Sequence, residues 1–160
     1  MARIFRDLGN LAAEMRKQQQ RGRRIVFVNG CFDLLHGGHA SYLEEAATHG
    51  DLLVCGVNSD ASVRELKGEG RPICNEEERL TVLAALVCVD CLIVFEEQTC
   101  ERLLRTLRPD VHAKGTDYTA DTVPERLVSD ELGIETVIAG DPKENATKAM
   151  IRKVEQGSAP

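Results

Sequence analysis

Short β-rich runs alternate with helical stretches along most of this chain, and no other feature restricts its fold as much. Ile25-Val26-Phe27-Val28 is apolar at every position, the pattern of a strand covered on both faces. Four further strands are predicted at Asp51 to Val57, Cys91-Leu92-Ile93-Val94, Val111-His112-Ala113 and Glu135-Thr136-Val137-Ile138. Between the first two, residues from Gly38 to about His49 carry Tyr42, Leu43, Ala46 and Ala47 as a helical apolar stripe, with Gly50 as a stop. Helices are also predicted near 59–66, from Glu76 to Val87, from about Thr99 to Leu107 and near 123–132. Such alternation implies an α/β fold: a doubly wound parallel sheet of about five strands, with right-handed crossovers and helices on both faces. Sheets of this kind bind ligands at the carboxyl ends of their strands.

Ahead of this pattern, Phe5, Leu8, Leu11, Ala12 and Met15 predict a leading helix over residues 5–20, followed by a basic connector at Arg21 to Arg24. The expected organisation is that leading segment over 1–23, one domain over 24–155 and a frayed tail over 156–160. At 160 residues the chain fits a single domain, and so a single site. No apolar run approaches the roughly 20 residues that cross a bilayer. The amino terminus MARIFRDLGN lacks the apolar segment of a secretion signal. A cytoplasmic protein without a membrane partner is expected. The formal net charge of -6 offers no general field for polynucleotides, so no nucleic acid partner is expected either.

The six cysteines lie in segments that read as core, and buried thiols are expected rather than disulfides. Cys88-Val-Asp-Cys91 has a CxxC spacing but no second pair, and no protein metal site is assigned to it.

The chemistry is concentrated in Asn29-Gly30-Cys31-Phe32-Asp33-Leu34-Leu35-His36-Gly37-Gly38-His39, which runs from the end of the first long strand into the next helix. Gly30, Gly37 and Gly38 allow close approach of backbone to phosphate oxygens, and the helix start offers unpaired N–H groups and a positive dipole end. Two imidazoles three residues apart can both reach one phosphate. Neither a Walker P-loop nor a GxGxxG fingerprint is present. Phe32 reads as a packing residue under the loop. Arg79, in Glu76-Glu77-Glu78-Arg79, reads on its own as surface charge, and Lys67-Gly68-Glu69-Gly70-Arg71-Pro72 as a solvated turn.

Gly30, Phe32-Asp33 and His36-Gly37-Gly38-His39 together resemble the signature of the cytidylyltransferase-like HxGH nucleotidyltransferases. The resemblance implies a Rossmann-like fold and transfer of a nucleoside monophosphate to a phosphorylated acceptor. It places His36, His39 and Lys67 at the reacting phosphates, with Mg²⁺ accompanying ATP. It assigns Asn29, Gly30, Cys31, Phe32, Gly38, Lys114, Gly115, Asn145 and Thr147 to the nucleotide. Asp33, Asn58, Asp60, Arg71, Arg79 and Asp117 fall on the acceptor side.

Within this family, Val57-Asn58-Ser59-Asp60, Lys67-Gly68 with Arg71-Pro72, Val89-Asp90, Arg108-Pro109-Asp110 and Lys114-Gly115-Thr116-Asp117-Tyr118-Thr119 are similar to the D-glycero-β-D-manno-heptose 1-phosphate adenylyltransferases over roughly residues 24–155. That similarity implies ATP and a sugar phosphate as partners, an ADP-heptose product for bacterial surface polysaccharide, a stand-alone form and a homo-oligomer. Asp90 reads equally as a structural cap. One departure stands out: the family's Ser-Thr-Thr before the last helix is here Asn145-Ala146-Thr147-Lys148, which leaves the base preference open. The alternatives are a sister transferase for glycerol 3-phosphate, FMN or another acceptor, with ATP or CTP, and a nucleotide-binding regulator without catalysis.

Overall fold

The computed structural model describes residues 1–141, 151, 152, 154, 156 and 157. Its elements run β1 (Arg3–Phe5), α1 (Leu8–Gln20), β2 (Ile25–Gly30), α2 (Gly37–Ala47), β3 (Leu52–Asn58), α3 (Asp60–Lys67), α4 (Glu76–Ala84), β4 (Cys91–Phe95), α5 (Glu101–Leu107), β5 (Val111–Gly115), α6 (Arg126–Leu132) and β6 (Glu135–Ala139). All strand pairs are parallel, in the order β1-β4-β3-β2-β5-β6.

Alternate residues of the central strands feed two cores. Val26, Val28, Cys55, Val57 and Leu92 pack under Tyr42, Leu43 and Ala46 of α2 and Leu80, Leu83 and Ala84 of α4. Ile25, Phe27, Val54 and Ile93 pack under Leu11, Ala12 and Met15 of α1, Leu103, Leu104 and Leu107 of α5, and Val128 of α6. This two-faced burial is why β2 and β3 have no polar alternation.

The five strands expected from the sequence all form, and β1 adds a sixth. The segment expected to open a helix at Phe5 instead pairs Arg3, Ile4 and Phe5 with Cys91, Leu92 and Ile93, and α1 starts at Leu8, where the Asp7 side chain accepts from Asn10 N–H. Three half-exposed residues at a sheet edge carry no readable period. The amino end of the sheet is closed by aspartates: Asp90 accepts from Leu53 N–H over 2.8 Å, and Asp110 from Ile25 N–H over 2.7 Å. Asp90 is thus a structural cap, at the end of the sheet opposite the carboxyl ends of the strands. Gly50 permits the close return before β3, since a Cβ there would lie 2.7 Å from Arg24 O. All six cysteines are free thiols; Cys55, Cys91 and Cys100 are buried as expected, whereas Cys31, Cys74 and Cys88 are only partly buried. Among the described residues no helix is long and apolar enough to cross a membrane.

Candidate active site

After β4 the chain crosses back to the far side of β2, so neighbouring β2 and β5 diverge in their onward connections. Their carboxyl ends border the crevice where open α/β sheets take ligands. The loop from Asn29 to His36 leaves β2 at this point. His36 is the N-cap of α2: its backbone is extended, and its Nδ1 accepts from Gly38 N–H over 3.1 Å. In a neutral ring the proton therefore sits on Nε2, which makes that atom a donor. His39 stands in the first helical turn, with its ring centroid 4.0 Å from that of His36. The two imidazoles expected to act together are thus adjacent, at the positive end of the α2 dipole.

Phe32 holds this arrangement from below. It is buried, lies 5.5 Å from the His39 ring between centroids, and covers Gly30, where an added Cβ would sit 3.1 Å from the phenyl ring. Its φ of 49° is left-handed, a strained conformation for an aromatic residue. The packing role read from the sequence fits this placement.

Two arginines lock the loop. Asp33 is buried and accepts from Arg71 Nε over 2.6 Å, from Ile73 N–H over 2.8 Å and from Cys74 N–H over 2.9 Å. Arg79 is fully buried, contrary to its isolated reading as surface charge. Its guanidinium donates to Cys31 O (2.6 Å), Asn58 O (2.8 Å), Cys74 O (3.1 Å) and Asp60 Oδ1 (2.8 Å). Asn58 is buried too, and donates to Ser62 Oγ over 2.9 Å. Asp33, Asn58, Asp60, Arg71 and Arg79 therefore come together, as a scaffold joining the ends of β2 and β3 to the segment before α4.

Lys67 ends α3 exposed, followed by Gly68 and Gly70 at φ values of 96° and 77°. Burial pushes the Cys31 thiol up, against the opposing positive charges of Lys67, Arg79 and Arg71.

On the α5 and α6 side, a second polar cluster underlies the same crevice. Lys114, buried on β5, donates to Asn29 Oδ1 and to Glu125 Oε2, each over 3.2 Å. Nε2 of buried His112 lies 3.2 Å from Asn29 Oδ1 and 3.7 Å from Cys100 Sγ, and Glu125 Oε1 accepts from Cys100 N–H over 3.3 Å. Burial, then the Lys114 charge, push His112 down against the pull of Glu125, so its imidazole is neutral. Burial, the largest single influence, works to raise the Glu125 carboxyl, but the Lys114 charge, neighbouring His112 and the hydrogen bonds from Cys100 N–H and Lys114 together hold the group below its usual range. Burial drives the Cys100 thiol far up, which leaves it protonated.

Cys100, His112 and Glu125 are metal-ligand types within 4.8 Å of one another. The Lys114 ammonium, however, already supplies the cation that Glu125 faces. The sequence did not mark these three residues: His112 and Cys100 lie in segments expected as a strand and a helix, and Glu125 falls within the helix expected near 123–132. Gly115 ends β5, and Asp117 is exposed just beyond it. Asn145 and Thr147 lie outside the described residues.

The cytidylyltransferase-like family profile matches residues 27–151. The chain is 50% identical over 156 residues to "Bifunctional protein HldE" of Geotalea uraniireducens, covering 96% of this chain and 31% of that protein. It is 56% identical over 122 residues to the protein of the same name in Pelobacter propionicus, covering 76% of this chain and 24% of that protein. The chain thus spans less than a third of the length of these curated relatives. Among solved structures, the lipopolysaccharide core biosynthesis protein of Thermoplasma volcanium aligns with a TM-score of 0.65 and 28% identity, over 76% of this chain and all of that one. With paired histidines at a helix start beside the sheet's switch point, and with these relatives, the chain belongs to the cytidylyltransferase-like family of nucleotidyltransferases.

Proposed function

We propose that this chain transfers AMP from ATP to a sugar 1-phosphate, D-glycero-β-D-manno-heptose 1-phosphate, giving ADP-heptose and pyrophosphate. The observation that carries the transfer is the pairing of His36 and His39, ring centroids 4.0 Å apart, at the start of α2. The heptose acceptor rests on the similarity around Lys114-Gly115-Thr116-Asp117-Tyr118-Thr119.

The acceptor phosphate is already ionised near neutral pH, since a second phosphate pKa lies near about 6. No general base is needed to make it a nucleophile. One acceptor oxygen forms a bond to the α-phosphorus as the bond to the β-phosphate oxygen breaks, and pyrophosphate leaves with that electron pair. The protein's task is to hold these groups in line and to meet charge on the equatorial oxygens. His36 Nε2, the His39 ring and the α2 N-terminus are suited to that. Lys67, on its glycine-flanked segment, is suited to follow the departing pyrophosphate.

Mg²⁺ would enter with ATP and shield its triphosphate. Asp33 is held by Arg71, and Asp60 Oδ1 by Arg79, which ties these carboxylates to arginines.

A pyrophosphate-release screen pairing ATP or CTP with heptose 1-phosphate, glycerol 3-phosphate and FMN tests this reading. Release with ATP and heptose 1-phosphate is expected. Release only with CTP, or only with a non-sugar acceptor, contradicts it.

A further inference from the structure

We infer that Lys114, Glu125 and His112 are positioning residues whose common target is Asn29, and that the Asn29 Nδ2 amide is the group they present to a nucleotide phosphate at the switch-point crevice. This rests on the nucleotidyl-transfer reading above and changes the part that Lys114 plays in it.

An ammonium only donates, so the Asn29 amide atom 3.2 Å from Lys114 Nζ is the oxygen. His112 Nε2, 3.2 Å from the same oxygen, must then carry the imidazole proton, which agrees with a ring kept neutral by burial. Two donors from β5 therefore converge on one carbonyl oxygen at the end of β2. The amide plane is fixed, and Nδ2 is turned away from the cluster.

Lys114 itself is poorly placed to serve as a free positive charge. Its side chain is 7% exposed, and it pairs with the Glu125 carboxylate, whose side chain is 3% exposed. Moving the ammonium out to a triphosphate would strand that carboxylate in a buried site. The pair is close to neutral as a unit, so its effect on an anion passes through the dipole of the amide that it orients. Glu125 is in turn fixed by Cys100 N–H at the start of α5. Three elements on one face of the sheet thus set a single side chain at the crevice. Register places it there: Val28 pairs with Ala113, so Asn29 and Lys114 stand at equivalent heights on neighbouring strands.

A double-mutant cycle on ATP affinity, measured by calorimetry without acceptor, tests the inference. Lys114→Met and Asn29→Ala are each expected to weaken ATP about tenfold, and the double variant also about tenfold, because both remove one interaction. About a hundredfold loss in the double variant would mean that Lys114 meets the phosphates independently, and would overturn the inference. So would a Lys114→Met affinity within twofold of wild type. Should Lys114→Met fail to fold around the unpaired Glu125, Lys114→Met combined with Glu125→Gln removes both charges and takes its place in the cycle, with the same outcomes. Thermal midpoints recorded alongside isolate any general loss of structure, which would weaken ATP equally with or without Asn29. A wild type that binds ATP yet releases no pyrophosphate with any acceptor would sink the transfer reading alone, leaving the cycle to judge the inference.

Discussion

Arg71 Nε donates to Asp33 Oδ2 over 2.6 Å, and this one contact ties the segment after Lys67 to the loop that carries His36 and His39. Asp33 also caps Ile73 and Cys74 N–H, so its carboxylate serves three donors with two oxygens. The exposed Lys67 to Gly70 stretch is thereby tethered to the motif loop.

Replacing Asp33 by Asn keeps its size but sets an amide NH₂ against a guanidinium or a backbone N–H, so at least one of the three bonds is lost. Stability is expected to fall by about 1.5–3 kcal/mol, the range for a hydrogen bond to a charged group. The KM for ATP is expected to rise about tenfold as the Lys67 segment loosens. Urea unfolding and steady-state kinetics read both quantities. A KM within twofold of wild type would show that the clamp does not govern the lysine.

Arg79 is a harsher case, because its guanidinium satisfies three backbone carbonyls and Asp60. Arg79→Met would leave those carbonyls and Asp60 without their donor around a fully buried side chain. A loss of about 3 kcal/mol or more is expected, with Arg79→Lys recovering less than half of it, since an ammonium cannot reproduce the planar fork. An Arg79→Met protein within about 1 kcal/mol of wild type would be incompatible with this geometry.

His112 makes a signed prediction about pH. Its folded pKa lies below the value of 6.5 for a free imidazole, so the unfolded chain takes up a proton as pH falls through that value while the folded chain does not. Stability is then lost on acidification below about pH 6.5, with a slope approaching about 1.4 kcal/mol per pH unit from this group. Denaturant unfolding of wild type and His112→Gln between pH 7.5 and 4.5 should show a flatter dependence in the variant by up to that amount. Parallel curves would mean that the imidazole titrates in the folded state as freely as in the unfolded one.

The parts of this fold that the sequence revealed are those where one segment carries its own signal. Ile25 to Val28 suited a doubly covered strand, and the glycines beside His36 and His39 suited a backbone that meets phosphate at a helix start. Strand β1 escaped because three edge residues have too few apolar positions to set a period. Arg79 looked like surface charge because it follows three glutamates, whereas its burial depends on carbonyls from the loop after β2, from β3 and from the segment before α4. The Lys114 to Glu125 pair was hidden for the same reason. Its members lie on β5 and just before α6, and only the register of β5 against β2 brings them under Asn29. Asn145 and Thr147, assigned to the nucleotide by resemblance, fall outside the described residues.

In the proposed transfer, His36 and His39 stabilise charge at the transferring phosphate instead of removing a proton. The most direct test is kcat for His36→Ala and His39→Ala, measured with the ATP dissociation constant of each variant. Removing one preorganised donor is expected to lower kcat by about 10² or more while ATP affinity stays within a few-fold. Turnover within a few-fold of wild type, at unchanged ATP affinity, would contradict the account.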